Sequence, residues 1–281
     1  MHRLYFFYFC GMKELLVRTL SGAVLVAVIV ACALLSPWAW AALGLLIVGV
    51  GTYEMSRLQQ IQKKTSVFVV AVLSVGAYAV AALTGLDVLP KRFLLLELPI
   101  VMLPFLLALF SVADDFKHLA SFAFGSQTYL SLPTALTVVM YRTDMFGEMA
   151  GARLILLVFA ILWVNDTFAY LTGRLLGRHK LFERVSPGKT IEGSLGGLVF
   201  TLAGVIVFSR CVDWLPIEAA IGMGLIAVVF GTLGDLCESM LKRQAGVKDA
   251  GKLIPGHGGI LDRFDSVLFT VPFVFVFLIL L

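Results

Sequence analysis

Apolar blocks of roughly 18–22 residues recur along the whole chain, and each is long enough to cross the hydrocarbon core of a bilayer as a helix. In lipid a spanning segment must satisfy its own backbone hydrogen bonds, so such blocks fold as helices. Only 14% of the 281 residues are charged, against about 25% in an ordinary soluble domain. The pattern predicts an all-α integral membrane protein with about nine transmembrane helices, over 17–36, 38–57, 66–85, 93–112, 118–140, 152–173, 193–210, 215–236 and 265–281. The fifth block is rich in Ser, Thr and Gly, which favour close helix packing, and is expected inside the bundle.

The distribution of cations predicts the orientation. Lys and Arg collect on the cytoplasmic side of membrane proteins. With the N-terminus cytoplasmic, 17 of the 22 Lys and Arg fall inside and 5 outside. Two charged loops, 174–192 and 237–264, then face the cytoplasm. The chain divides into a basic N-terminal tail (1–16), N-terminal helices (17–150) and a C-terminal catalytic region (151–281). Met12-Lys13 suits a start, which would make 1–11 an upstream extension. Ala31-Cys32-Ala33 follows a basic stretch and an apolar run, as a signal-peptide cleavage site does. It is read instead as part of the first span, because more spans follow it. Cys10, Cys32, Cys211 and Cys237 form no CxxC pair and read as free thiols.

The chemistry concentrates at two places. The eighth span ends GTLGDLCESMLKRQ, in which Asp235, Glu238, Ser239 and Lys242 share one helical face. The ninth opens HGGILDRFDS, with Asp262 and Asp265 three apart, after Gly256, Gly258 and Gly259 flanking His257. A hairpin of 26 residues between Asp235 and Asp262 can bring these two acidic helix ends together. Converging carboxylates repel unless a cation lies between them, and oxygen-only donors suit Mg²⁺, Mn²⁺ or Ca²⁺. Lys242, Arg243, Lys248, Lys252 and Arg263 suit phosphate oxygens. Carboxylates beside cations point to a metal–polyphosphate site for phosphoryl or nucleotidyl transfer. The second place reads WVNDTFAYLTGRLLGRHKLFERVSPGKTIEGS. Asp166 and Tyr170 are one turn apart and would line an interior cavity. The Ser186–Thr190 segment lacks the upstream glycine and strand of a P-loop, yet with Lys189 it can cradle phosphate at the start of the seventh helix. Elsewhere, Glu54 beside Arg57 reads as a helix-end pair, Asp114, Asp115 and His118 as span-end residues, and Arg142 and Arg153 as outer anchors.

The stretch SMLKRQAGVKDAGKLIPGHGGILDRFDS, Ser239 to Ser266, resembles the signature of phosphatidate cytidylyltransferases (CDP-diacylglycerol synthases) without a gap. The upstream NDTFAYLTGRLLGRHKL, SPGKTIEGS and GDLCES fit the same family, so the resemblance is strong over about 160–281. It implies a nucleotidyltransferase of phospholipid biosynthesis in the bacterial inner membrane, with CTP and phosphatidic acid as substrates and CDP-diacylglycerol and pyrophosphate as products. It also implies Mg²⁺, as one or two divalent ions, with room for a monovalent cation. No nucleic acid is expected as a partner, and a homodimer is compatible with it. Asp235, Asp262 and Asp265 are the expected metal ligands and, with Lys242, the catalytic set; Asp166 is a further metal or cytidine contact. Ser186, Lys189, Thr190, Ser239, Arg243, Lys248, Lys252, His257 and Arg263 are the expected substrate contacts. Lys242 stays open between binding phosphate and orienting Asp265, and His257 between donating to phosphate and fixing the turn. The competing readings are a CTP-dependent polyprenol kinase and a cation-coupled transporter.

Overall fold

The computed structural model describes residues 2–110, 115–142 and 150–281, with side chains from residue 16 onward. Asp114 lies outside the described residues, as do the side chains of Cys10 and of the basic residues of the N-terminal tail. Among the described residues eight helices are long and apolar enough to cross a membrane. They belong to α1 (His2–Leu35), α2 (Pro37–Leu58), α3 (Lys64–Gly85), a 3₁₀ turn (Lys91–Leu96) running into α4 (Glu97–Phe110), then α7 (Ala150–Leu176), α8 (Ile191–Cys211), α9 (Ile217–Gln244) and α10 (Leu261–Leu280). The helix starts are legible locally. Ser36 accepts the amide of Ala39 and Pro37 opens α2; Thr190 accepts the amide of Gly193 and caps α8.

The fifth predicted span is built in pieces: α5 (Phe116–Gly125), a π-type turn (Ser126–Ser131) and α6 (Leu132–Tyr141). Its polar residues explain both the interruption and the interior position. The Ser131 hydroxyl donates to the carbonyls of Ser74 (2.8 Å) and Ser126 (3.2 Å), and the Gln127 amide to Ile100 (3.0 Å). Such bonds tie a span to its neighbours where lipid offers none, and Ser126, Gln127 and Ser131 are buried. Asp115 caps α5, so His118 lies in a helix rather than a loop.

Two boundaries move in ways that matter for the site. Helix α9 runs eight residues beyond the predicted end at 236, so Lys242 and Arg243 are helical and the charged loop narrows to 245–260. An ion pair between Lys242 and Glu238, one turn apart, and cations in the last turn both favour this extension. The segment 174–192 contains β1 (Lys180–Phe182) paired antiparallel with β2 (Ser186–Thr190), so the expected phosphate loop is a strand edge leading straight into α8.

The core ties the two halves together. Phe159 on α7 meets Trp40 of α2 and Phe264 of α10 edge-on, with centroids 6.2 and 6.0 Å apart. Trp40 donates its indole N–H to Thr137 on α6, at 2.8 Å. Arg142 pairs with Asp87 at 3.1 Å, both exposed.

Candidate active site

One end of the bundle gathers the C-terminal ends of α2, α7 and α9, the N-terminal ends of α8 and α10, the hairpin and the 245–260 loop. Asp235 and Glu238 lie on α9, three residues apart, and Asp265 on the second turn of α10. Each offers a carboxylate oxygen, and these atoms all lie within 4.8 Å of one another. Glu238 is fully buried: its Oε2 meets Lys242, while Oε1 has no hydrogen-bond partner. A buried carboxylate oxygen left without a donor is costly, and a hard cation would satisfy it. The donor set of three carboxylates therefore fits a divalent ion of the Mg²⁺ type.

The neighbours of this triad fix its orientation. Lys189, on β2, pairs with Asp235 Oδ2 at 2.6 Å, and Ser239 donates to Asp235 Oδ1 at 3.1 Å. Tyr129, presented by the π-type turn, reaches the backbone carbonyl of Asp265 at 3.4 Å. Lys242 bridges Glu238 and Asp262, at 2.7 Å from Asp262 Oδ1. It does not pair with Asp265, the alternative that spacing had left open.

Asp262 stands outside the triad. Its Oδ1 is taken by Lys242, and its Oδ2 accepts the amides of Ala250 (2.8 Å) and Gly259 (2.7 Å). The chain turns back tightly before it, through bridge pairing of Ile254 with Gly258. Gly258 has φ +85°, and a Cβ there would lie 2.6 Å from Asp262 Oδ2, so only glycine lets the backbone pass this carboxylate. Glu54 completes the loop's support. It is buried and accepts the amides of Ile260 (3.1 Å) and Leu261 (2.9 Å), satisfying first-turn donors of α10 that no local side chain caps. The expected helix-end pairing with Arg57 is thus replaced: the carboxylate turns inward because the α10 N-terminus offers it two N–H groups.

Two clefts involve the residues of this end, and the first includes the triad's Asp235. One, of about 430 Å³, is lined by Asp166, Tyr170, Ser186, Lys189, Thr190 and Asp235, with Asn165 and Thr232 among its other walls. Asp166 thus belongs to the cleft and accepts from Asn165 at 3.4 Å. Asn165 Oδ1 is buried without a partner. Thr190 spends its hydroxyl on capping α8, which leaves Ser186 and Lys189 as the polar edge of β2. The second cleft, of about 540 Å³, is lined by Lys248, Asp249, Lys252, His257 and Arg263, joined by Arg18 from α1. Arg243 lies apart from both and donates toward the Val185 carbonyl at 3.4 Å, holding the hairpin. Glu54, Arg18 and Tyr129 were not expected at the site from the sequence. Glu238 was placed on the acidic face without a role. The available signals were a cation in the first turn of a span and a polar run inside an apolar one.

The arrangement combines a carboxylate cluster with two cation-bearing clefts, one of which contains Asp235. Comparison with known proteins agrees with that chemistry. The family model described as "Cytidylyltransferase family" matches residues 16–281. A phosphatidate cytidylyltransferase of Staphylococcus haemolyticus is 50% identical over 130 residues, covering 46% of this chain and 50% of that protein. One from Staphylococcus aureus is 48% identical over 130 residues with the same coverage, and one from Staphylococcus saprophyticus is 39% identical over 181 residues, covering 64% of this chain and 68% of its own length. The chain thus spans about half the length of the first two relatives and about two thirds of the third. A match over nearly the whole chain, on a multi-pass helical bundle, shows that this membrane protein belongs to the cytidylyltransferase family.

Proposed function

We propose that the protein is a phosphatidate cytidylyltransferase of the bacterial cell membrane. It joins CTP and phosphatidic acid into CDP-diacylglycerol and releases pyrophosphate. The observation that carries this reading is the carboxylate triad of Asp235, Glu238 and Asp265, with Asp235 and Lys189 in one cleft and a second, cation-rich cleft on the loop that leads into α10. The excess of Lys and Arg on the segments read as cytoplasmic, 17 against 5, supports a site facing the cytoplasm, where CTP is found.

A phosphate monoester loses its second proton near pH ~6, so the lipid phosphate oxygen is already a nucleophile and needs little help from a base. That oxygen attacks the α-phosphorus of CTP, a new P–O bond forms, and the bond to the β-phosphate oxygen breaks, with pyrophosphate carrying away the electron pair. Asp235, Glu238 and Asp265 would hold the divalent cation, which supplies fixed positive charge where phosphate oxygens must crowd together. Lys189 and Ser186 bind phosphate at the hairpin cleft, with Lys189 released from Asp235 to do so. Lys248, Lys252 and Arg263 bind phosphate at the loop cleft. Lys242 neutralises Glu238 and Asp262 and keeps the two helix ends together. Asp262 and Glu54 hold the loop at fixed height above the membrane.

The test is product analysis. Purified protein receives phosphatidic acid and CTP labelled either in cytosine or at the γ-phosphate. Cytosine label in the lipid product, with γ label appearing only in pyrophosphate, is the expected result. Lipid labelled only from the γ-phosphate would mean a kinase and overturn the proposal.

A further inference from the structure

Helix α1 reaches into the loop cleft, and it does so with side chains that the family signature between Ser239 and Ser266 does not include. Arg18 lines the cleft with Lys248, Lys252, His257 and Arg263. Gly256, at φ +72°, brings its backbone against Arg18, where a Cβ would lie 2.7 Å from Arg18 Cγ. One turn on, the Ser21 hydroxyl lies 2.8 Å from the Pro255 carbonyl and 2.8 Å from His257 Nδ1. Gly22 then runs under the imidazole: a Cβ there would lie 3.2 Å from Cε1 and 3.3 Å from Nε2. Helix α1, with Lys91–Phe110 the least buried of the spans, is tied to this loop across more than 230 residues of sequence.

The contacts of Ser21 favour the His257 tautomer with hydrogen on Nδ1. A hydroxyl has one proton to give. Ser21 Oγ faces two carbonyls, Pro255 at 2.8 Å and Arg18 at 3.1 Å, which only accept. The Ser21 proton therefore goes to a carbonyl, and Oγ receives the bond from His257 Nδ1–H. Nε2 is left as the ring nitrogen that α1's hydroxyl does not use.

From this we infer that α1 forms one wall of the polyphosphate site: Arg18 binds the β- and γ-phosphates of CTP and the departing pyrophosphate, and Ser21 positions His257 beside them. The inference rests on the proposed cytidylyltransferase activity. Among the described residues this cleft gathers two guanidinium and two ammonium groups, with Asp249 as the one acid described in its lining. That excess of charge matches a polyphosphate better than the lipid's single phosphate. It also divides the site, giving the lipid phosphate to the Ser186–Lys189 edge of the cleft that holds Asp235.

Full-length protein in lipid–detergent micelles is assayed with CTP and phosphatidic acid varied separately, for wild type, Arg18→Ala, Arg18→Lys and Ser21→Ala, with a thermal melt of each. Arg18→Ala is expected to raise KM for CTP and the pyrophosphate inhibition constant by about ten- to a hundredfold, the loss of one or two charge-assisted hydrogen bonds. KM for phosphatidic acid stays within about twofold, and Arg18→Lys recovers part of the loss by keeping the charge. Ser21→Ala is expected to lower kcat/KM for CTP, and adding it to His257→Ala costs nothing further, because both remove one unit. The inference is overturned if folded Arg18→Ala keeps CTP and pyrophosphate affinity, if both substrates weaken equally, or if the Ser21 and His257 effects add in full. A wild type that puts no cytosine label into lipid would instead refute the activity itself, a result visible before any variant is made.

Discussion

Replacing Glu54 by Gln separates a buried loop anchor from a surface ion pair. Glu54 accepts two backbone amides, Ile260 at 3.1 Å and Leu261 at 2.9 Å, in a site where only 3% of the residue is exposed. Hydrogen bonds to a charged acceptor contribute about 1.5–3 kcal/mol each. Gln keeps one carbonyl oxygen for one amide and turns an NH₂ toward the other, so one bond is lost and one buried donor is left facing another. Stability should fall by about 2–4 kcal/mol, from one charge-assisted bond plus one unsatisfied group. For a chain of this length that corresponds to roughly 5–12 °C in melting midpoint. The helix-end pairing suggested by sequence would give at most about 1 kcal/mol, the range of exposed pairs. The assay is a thermal melt of purified protein in detergent, alongside cytidylyl transfer. Glu54→Gln is expected to melt early and to lose activity with the loop, while Arg57→Ala changes neither. A Glu54→Gln variant that melts with wild type, or an Arg57→Ala variant that matches its loss, would refute the reasoning.

Other outcomes follow from the same geometry. Asp235→Asn should lower turnover by about a hundredfold or more while the melting midpoint holds, since it removes a site charge that the fold does not need; a loss below about tenfold would remove Asp235 from the triad's role. Gly258→Ala should destabilise by at least about 1–3 kcal/mol, because φ is +85° and the new Cβ would lie 2.6 Å from Asp262 Oδ2. A melt unchanged in that variant would contradict the described turn. Arg142→Ala should alter the melt by no more than about 1 kcal/mol, given that its partner Asp87 is exposed too.

The spans and the acidic helix ends were legible in the sequence because both depend on local regularities. Apolar length gives a membrane helix, and the spacing of Asp235, Glu238 and Lys242 gives a shared face. The same spacing could not say which carboxylate a lysine chooses. Lys242 selected Glu238 and Asp262, which drew Asp262 into holding the loop and left Glu238 with an oxygen for the triad. The Ser186–Thr190 segment has no strand-like alternation, so its pairing with Lys180–Phe182 was hidden. The interruption in the fifth span was visible only as polarity, since a π-type turn depends on which neighbour offers a carbonyl. Glu54, Arg18 and Ser21 were beyond reach for a simpler reason. Their partners lie more than 200 residues away, and only the packed bundle brings α1 and α2 to the 245–260 loop.

The central claim is that the Asp235–Glu238–Asp265 cluster holds a divalent cation for cytidylyl transfer. It is tested most directly by titrating Mg²⁺ into chelator-treated wild type and Glu238→Gln while following CDP-diacylglycerol formation. The account predicts no product without added metal, full recovery in the wild type, and in Glu238→Gln a requirement for about tenfold or more Mg²⁺, the effect of losing one ligand charge. Undiminished product after chelation, or an identical Mg²⁺ dependence in the two proteins, would contradict it.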